Sequence, residues 1–348
     1  MEKKIKDEDK PLVLHPSSFI FHLLTFFFMR PPKFITDFVY PNIERLIDLI
    51  FMASLPVGIV AVLGMMVAAW RGQWLWAALA LGVVLCAAIG IYARFIAPKQ
   101  LQVRRLQIGQ KAANTAPTYT VVYFSDLHVG RFKRVHWTSH VVNAINAHIP
   151  DLILYGGDFY GHPPAHLQLS DLLHPLQNLR ARLGVFAVLG NHDHGLHDRT
   201  PHKDELKVLL STLNIRILHN ESIAIAEGLR ITGIGELWVD EHNIEQAFAA
   251  VNPNATESHI VIAHNPDLMQ EIPYPADLFL FGHTHAGQIY LPFAPSLGVP
   301  VKYNLYRGSY HLPQGHVYIT SGCGEASTPT RLNTWPEIVI IEVWGAAN

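Results

Sequence analysis

The chain has 348 residues, of which 49% are hydrophobic and only 16% are charged, whereas soluble proteins carry about 25% charged residues. This composition excludes an intrinsically disordered chain, and two cysteines exclude a disulfide scaffold or a cysteine-rich zinc module. Histidine is abundant, with 21 residues against 26 lysines and arginines. Because imidazole is the commonest transition-metal ligand, this count points to metal chemistry.

The first 48 residues form an N-terminal segment with one apolar stretch. Ser17–Met29 is rich in phenylalanine but has only 13 residues, fewer than the roughly 20 that a membrane-crossing helix needs. We therefore predict an interfacial helix here, with a span over Leu12–Met29 as the alternative. No small-residue cleavage site follows the stretch, so a cleavable signal peptide is not expected.

Two longer uncharged runs follow, with 22 residues in Leu49–Trp70 and 20 in Trp74–Ala93. Each is long enough to cross a hydrocarbon core of about 30 Å as a helix. Because only three residues separate the runs, residues 49–93 are predicted to form a transmembrane helical hairpin. Two buried helices of a soluble core are the alternative, which the absence of a polar face disfavours. Residues 94–117 are predicted to be a linker to a soluble domain over 118–348.

Basic residues flank the predicted hairpin, and its connecting loop carries only Arg71. The flanking residues are Arg30, Lys33 and Arg45 before it and Arg94, Lys99, Arg104, Arg105 and Lys111 after it. The positive-inside rule therefore predicts that both flanks and the soluble domain lie in the cytoplasm. Residues 1–111 carry a net charge of +6, which suits anionic lipid headgroups, and residues 112–348 a net charge of −8. The acidic half argues against a nucleic-acid polymer as partner.

From Thr118 onwards, short β-branched runs alternate with longer amphipathic segments. Strands are predicted at Tyr119–Phe124, Asp151–Tyr155, Val185–Leu189, Ile215–Leu218, Ile223–Ala226, Leu229–Ile234, His259–Ala263, Leu278–Phe281, Val317–Thr320 and Ile338–Val343. Helices are predicted at Val135–His148, Leu167–Arg182, Asp204–Leu213 and Ile244–Val251. This alternation, followed by a strand-rich part, predicts a layered α/β fold. Pro292–Gln314 is long and irregular, and it is interpreted either as a substrate-contacting lid or as a covering hairpin.

Polar side chains follow five of these strands, at the point where each strand ends. They are Asp126 and His128 in Ser125-Asp126-Leu127-His128, Asp158 in Gly156-Gly157-Asp158, Asn191, His192 and Asp193 in Gly190-Asn191-His192-Asp193, His264 in Ala263-His264-Asn265, and His283 and His285 in Gly282-His283-Thr284-His285. The carboxyl ends of strands line the ligand crevice of open α/β sheets, so these side chains are expected to meet. Carboxylate, amide and imidazole donors together suit Mn²⁺, Fe, Zn²⁺, Co²⁺ or Ni²⁺ better than Ca²⁺ or Mg²⁺.

The ordered set of five motifs resembles the calcineurin-like metallophosphoesterase superfamily over roughly residues 119–345. The sequence around Gly282–Gln288 and the later Ser321-Gly322-Cys323-Gly324 are similar to its bacterial membrane-associated phosphodiesterase branch, although Ala286 stands where that branch usually has a glycine. The resemblance implies a four-layer α/β/β/α sandwich with two divalent metal ions, manganese being the first expectation. The apolar hairpin lies outside the matched region, so its membrane location, expected to be the bacterial inner membrane, is predicted from hydropathy alone.

Carried over by motif, the resemblance assigns a role to each of these residues. Asp126, His128 and His285 would bind the first ion, Asn191, His264 and His283 the second, and Asp158 would bridge the two together with a metal-bound hydroxide. His192 would protonate the leaving oxygen, and Asp193 would orient His192. The implied activity is hydrolysis of a phosphodiester or pyrophosphate bond, with a lipid-linked substrate as one possibility.

Alternatives remain open at this point. A phosphomonoesterase or phosphoprotein phosphatase would use the same chemistry, and a non-catalytic membrane scaffold could retain the fold. Arg131 and His194 are candidate substrate-binding residues; for Arg131 and its neighbour Lys133, a solvated basic turn is the competing interpretation.

Overall fold

The structure is a computed structural model that describes residues 40–110, 116–130, 132–161, 168–195, 203–292, 299, 301–326 and 328–344. The helix predicted at Ser17–Met29 lies outside the described residues, as does Arg131.

Two long apolar helices begin the described chain, α1 (Tyr40–Trp70) and α2 (Trp74–Ile91). The segments Asp48–Trp70 and Trp74–Lys99 are long and apolar enough to cross a membrane, and 0% and 17% of their most apolar windows are buried. That exposure is unlike the core helices of a soluble protein, which are mostly buried. Small residues form the contact between the helices, where Gly58 and Gly90 lie against Ala87 and Ser54. Small side chains of this kind allow close packing of membrane helices.

Within the described residues, twelve strands follow in two six-stranded sheets. In chain order they are β1 (Gln102–Ile108), β2 (Tyr119–Phe124), β3 (Leu152–Tyr155), β4 (Val185–Ala187), β5 (Ile215–Ile217), β6 (Glu221–Ala226), β7 (Leu229–Gly233), β8 (Ser258–Ile262), β9 (Leu278–Phe281), β10 (Gly308–Leu312), β11 (Gly315–Ile319) and β12 (Glu337–Val343). The first sheet has the order β1-β12-β2-β3-β4-β5, and the second β10-β11-β9-β8-β7-β6.

Helices cover the outer face of each sheet, so the domain has four layers. The first sheet is covered by α3 (Val135–Asn146), α4 (Leu169–Leu173) and α5 (Lys203–Thr212), and the second by α6 (Ile244–Phe248) and the 3₁₀ turn Pro266–Gln270. The central strands alternate between two cores, because successive side chains of a strand point to opposite faces. In β2, Val122 packs towards the helices and Val121 towards the second sheet. The predicted α/β/β/α sandwich is confirmed.

Two strands lie where the sequence predicted none. The segment 94–117, predicted as a linker, contains β1, which pairs in parallel with β12 along its whole length. Pro292–Gln314 contains β10, which forms a hairpin with β11 at the edge of the second sheet. The helix predicted over Leu167–Arg182 is shorter: α4 ends at Leu173 and a 3₁₀ turn with Pro175 near its start follows, because proline cannot donate the hydrogen bond that continues an α-helix.

The parallel strands of both sheets end at one common edge. Within the first sheet β2, β3 and β4 are parallel, and within the second β7, β8, β9 and β11 are parallel. β12 runs antiparallel to β2 and parallel to β1, so β1 begins at this same edge. The loops that carry the predicted ligands and the end of the apolar hairpin therefore lie at one edge of the domain.

Candidate metal centre

The structure brings all seven predicted ligands together at the common edge. Three groups of side chains each have their donor atoms within 4.8 Å of one another, and no group contains an exposed residue: Asp126, His128 and His285; His128, Asp158 and His192; and Asp158, His264 and His283. Asp158 belongs to two of these groups and His128 also to two, so the groups form one continuous cluster.

Asp158 lies in the middle of the cluster. Its Oδ2 is 3.4 Å from Nε2 of His128 and 3.2 Å from Nε2 of His264, and its Oδ1 accepts a hydrogen bond from the backbone N–H of His192 at 2.9 Å. A carboxylate placed between two sets of imidazoles has the position that a ligand shared by two ions requires.

Donor atoms on either side of Asp158 converge in the same way. On one side, the Nε2 atoms of His128 and His285 are 3.0 Å apart, and Asp126 Oδ1 is 3.7 Å from Nε2 of His285. On the other side, Asn191 Oδ1 is 3.2 Å from Nε2 of His264 and 2.8 Å from Nδ1 of His283. The grouping into two sets matches the predicted division between two ions, whose ligand assignment stays a prediction.

The backbone is held in an unusual conformation at most of the ligands. Asp126, His128, Asp158, His283 and His285 have φ angles of 55°, 43°, 58°, 69° and 50°. Non-glycine residues adopt such values rarely, and they concentrate at functional sites where the surrounding structure over-determines them. A β-carbon on Gly190 would collide with Oδ1 of Asp158, so this glycine is what allows the two loops to approach.

Buried polar atoms of the cluster lack hydrogen-bond partners, as expected of a site that binds cations. Among the described residues, Oδ2 of Asp126 and Nδ1 of His128 are buried and have no hydrogen-bond partner. Burial raises the pKa of Asp126 and lowers the pKa of His128 and of His285 to about 3, so both imidazoles are in the neutral, metal-binding form. Burial alone would raise the pKa of Asp158, but His264, His192 and His128 hold it well below its usual range. The mixed nitrogen and oxygen donor set fits divalent transition-metal ions.

Asp193 holds backbone amides. Its Oδ2 accepts hydrogen bonds from the N–H groups of Asp158 at 2.8 Å and Gly190 at 2.9 Å, and its Oδ1 accepts one from Phe159 at 2.9 Å. Both carboxylate oxygens therefore bind the loops after β3 and β4. The predicted orientation of His192 by Asp193 stays a prediction. Burial and then the Asp158 carboxylate raise the pKa of Asp193 to about 8. The side chain thus fixes the backbone from which Asp158 projects.

His192 and His194 follow Asn191 on the same loop. The His192 ring is half-buried and lies edge-on to His128, with ring centres 4.7 Å apart, which places it beside the cluster. His194 is directed elsewhere, since its Nδ1 is 3.8 Å from Glu241, a residue that also pairs with Lys203. Burial lowers the pKa of His194 to about 4.

Glu236 is a residue near the site that the sequence reasoning missed. Its side chain is 1% exposed and accepts a hydrogen bond from the N–H of Trp238 at 3.1 Å, and the Trp238 ring lies edge-on to His283 at 4.4 Å. Burial raises the pKa of Glu236 to about 7. The signal was present in the sequence, because Gly235-Glu236 follows the end of β7 just as the predicted ligands follow other strands.

The end of the apolar hairpin is attached directly to this region. Lys133 is buried, and its Nζ donates to the carbonyl of Pro98 at 2.5 Å and lies 3.4 Å from Glu325. Arg331 pairs with the same Glu325 at 3.0 Å, and its backbone N–H donates to the carbonyl of Ala93 at 2.9 Å. Lys133, interpreted from the sequence as a phosphate ligand or a solvated turn, therefore anchors the helix end.

Comparison with known proteins agrees with this geometry. Residues 119–287 match the model of the calcineurin-like phosphoesterase family. The chain is 30% identical over 261 residues to the phosphodiesterase YaeI of Escherichia coli, covering 72% of this chain and 92% of that protein. It is 27% identical over 256 residues to the uncharacterized metallophosphoesterase YkuE of Bacillus subtilis, covering 72% and 87%.

A third relative is the UDP-2,3-diacylglucosamine pyrophosphatase LpxG of Chlamydia trachomatis, 27% identical over 250 residues, with 58% of this chain and 74% of that protein covered. The convergent donor set, the four-layer fold and these matches lead to one conclusion: the chain belongs to the calcineurin-like phosphoesterase family and is a metal-dependent phosphoester hydrolase.

Proposed function

We propose that this enzyme hydrolyses a phosphodiester or pyrophosphate bond of a lipid-linked substrate at the cytoplasmic face of a bacterial inner membrane, using two divalent metal ions. The observation that carries the proposal is the position of the metal cluster relative to the apolar hairpin. Gln102, three residues after the hairpin ends at Lys99, pairs with Glu337. The N–H of Glu337 donates to Gly322, where a β-carbon would lie 2.7 Å from the Cβ of Asp126.

Such closeness favours a substrate that resides in the membrane. If α1 and α2 cross a bilayer, the ligand Asp126 is only two strands away from the point where the chain leaves it. A soluble substrate would gain nothing from this placement, whereas a lipid-linked phosphoester is held at the same surface. Two relatives support the reaction class, since their names state phosphodiesterase and pyrophosphatase activities.

The protein's own residues would divide the work as follows. Asp126, His128 and His285 would hold one ion, Asn191, His264 and His283 the other, and Asp158 would contact both; when bound, the ions activate water and neutralise phosphoryl charge. His192, half-buried beside His128, would donate a proton to the leaving oxygen. Asp193 keeps the Asp158 backbone in position through three N–H groups.

Hydrolysis of bis-(p-nitrophenyl) phosphate and of p-nitrophenyl phosphate by the full chain in detergent tests the chemistry. The full chain is needed because β1 belongs to the catalytic sheet, so a truncation at residue 112 would remove an edge strand. Chelation should abolish diester hydrolysis and Mn²⁺ should restore it. Asp158→Asn and His192→Ala should lose the restored activity, while the exposed controls Asp171→Asn and His136→Ala should keep it.

Other outcomes would select the other functions. Preference for the monoester would favour a phosphomonoesterase or phosphoprotein phosphatase. Absence of bound metal, or no effect of Asp158→Asn on any hydrolysis, would favour a non-catalytic scaffold. Resistance of the chain to alkaline carbonate extraction and a cytoplasmic signal from a C-terminal reporter test the membrane placement separately.

A further inference from the structure

A cavity of about 300 Å³ opens where the edge strands β1 and β10 of the two sheets come together. Its volume is at the lower end of the range for small-molecule sites, about 300–1,000 Å³. The cavity contains none of the seven metal ligands, but it reaches Ala286, the residue that follows His285. It is therefore separate from the metal cluster and adjacent to it.

Positive charge dominates the lining. Arg104, Arg105 and Arg307 line the cavity, and Glu337 is the single acidic residue among the lining residues. One oxygen of the Glu337 carboxylate already has protein partners: its Oε1 accepts hydrogen bonds from the Tyr318 hydroxyl at 2.9 Å and the Ser321 N–H at 3.0 Å. Its Oε2 lies 3.4 Å from Arg104. Arg105 pairs with Glu342, which lies outside the lining, at 3.5 Å. The single lining carboxylate cannot neutralise both Arg104 and Arg307, so the cavity attracts anions.

Arg307 provides an unsatisfied donor. Its Nη1 is buried and has no hydrogen-bond partner within the described chain, while its guanidinium stacks over the ring of Tyr290 at 4.1 Å. A buried charged donor without an acceptor is costly, and the oxygens of an anionic ligand would satisfy it. Stacking fixes the plane of the guanidinium, which favours the two-pronged hydrogen bonding that arginine makes with phosphate.

The cavity also contacts the end of the apolar hairpin. Trp335 lines it, and the indole N–H of Trp335 donates to the hydroxyl of Tyr92 at 2.9 Å, directly after α2. Tyrosine and tryptophan are favoured where a chain passes from hydrocarbon to water. Ser309, Asn333 and Thr334 add neutral hydrogen-bonding groups to the lining, as a hydroxylated headgroup would need.

We propose that this cavity binds the phosphate-bearing headgroup of an anionic membrane lipid. The inference rests on the membrane insertion of α1 and α2 given under the proposed function, and it is independent of the hydrolytic reaction. Such a site would hold the metal cluster at a fixed distance and orientation from the bilayer surface.

Calorimetric titration of the full chain in neutral detergent tests the proposal. The Asp158→Asn background, treated with a chelator, excludes hydrolysis and phosphate binding at the metal cluster. The probes are dihexanoyl phosphatidylglycerol, dihexanoyl phosphatidylcholine and inorganic phosphate. Arg307→Gln and Arg104→Gln remove cavity charges, and Arg216→Gln is the control, because Arg216 is an exposed arginine paired with Glu221 at the far edge of the first sheet.

We expect phosphatidylglycerol to bind at least tenfold more tightly than phosphatidylcholine, and each cavity substitution to weaken it at least tenfold, with the control unchanged. Arg104 is more than half exposed, so its variant keeps the test valid if Arg307→Gln fails to fold. Arginine-dependent binding of inorganic phosphate without binding of phosphatidylglycerol would overturn the lipid assignment. Binding that is indifferent to both arginines would overturn the site itself. Neither result would affect diester hydrolysis, which is measured without the Asp158→Asn change.

Discussion

Replacing Arg331 with methionine tests whether the hairpin attachment also supports the metal cluster. Arg331 is fully buried, and its Nη2 donates to the carbonyls of Ser321, Gly322 and Gly324. The carbonyl of Gly324 is also 3.1 Å from Nδ1 of His285. Loss of the guanidinium therefore removes a hydrogen-bond donor from the Gly324 carbonyl, which contacts the predicted metal ligand His285.

The expected loss of unfolding free energy depends on the contacts that Glu325 keeps after the substitution. Breaking a buried ion pair by removing one partner costs about 3–5 kcal/mol. The lower end applies here, because Lys133 stays 3.4 Å from Glu325; the carbonyls that lose a donor add roughly 1 kcal/mol. A total of about 4 kcal/mol corresponds to a melting temperature lower by about 10 °C for a domain of this size.

Thermal unfolding followed by circular dichroism in detergent measures this change, with Arg216→Met as an exposed control. The double variant Arg331→Met/Glu325→Gln should be about 2 kcal/mol more stable than the sum of the single variants predicts, because that sum counts the loss of the Arg331–Glu325 contact twice. Diester hydrolysis well below the melting temperature should also fall in Arg331→Met. A melting temperature within 2 °C of the wild type, or strict additivity in the double variant, would refute the reasoning.

Four further changes have distinct expected results. In the chelated chain, wild-type stability should fall as pH rises from 4.5 through 7, partly because burial raises the pKa of Glu236 to about 7 and opposes its ionisation; Glu236→Gln should make this fall smaller by about 3 kcal/mol at pH 8, and parallel pH profiles would contradict it. Gly190→Ala, whose β-carbon would meet Oδ1 of Asp158, should weaken Mn²⁺ binding more than tenfold by calorimetry; unchanged affinity would show that the loops can separate. Asp193→Asn places an amide donor against backbone N–H groups and should cost about 2 kcal/mol in thermal unfolding; a neutral result would mean that these bonds do not hold the loops. Ala286→Gly should stabilise the chain by about 1 kcal/mol, because Ala286 has a φ of 53°, and a lower melting temperature would contradict that account.

The central strands were predictable because their apolar runs are local. β2, β3, β8 and β9 are buried on both faces, and such strands are continuous hydrophobic segments in the sequence. β1 was not predictable in this way, since Gln102-Val103-Arg104-Arg105 is exposed and charged. Only its pairing with β12, more than two hundred residues later in the chain, makes it a strand.

The metal cluster was predictable for a related reason. Each ligand follows a recognisable strand, and parallel strands end at one edge. The partners of Asp193 and of Lys133 were not predictable, because both side chains bond to backbone groups that only the tertiary structure brings near: the N–H groups of the β3 loop and the carbonyl of Pro98.

The placement of β12 between β1 and β2 has a consequence for biosynthesis. β1 leaves the apolar hairpin early in translation, but its only hydrogen-bonded neighbour within the described sheet is the last strand in chain order. The two apolar helices can therefore pair with each other long before the catalytic sheet is complete. Contacts between residues so distant in sequence form late and slowly, so β1 stays without its strand partner until β12 emerges from the ribosome. Pairing of β12 with both β1 and β2 then connects the apolar helices to the first sheet.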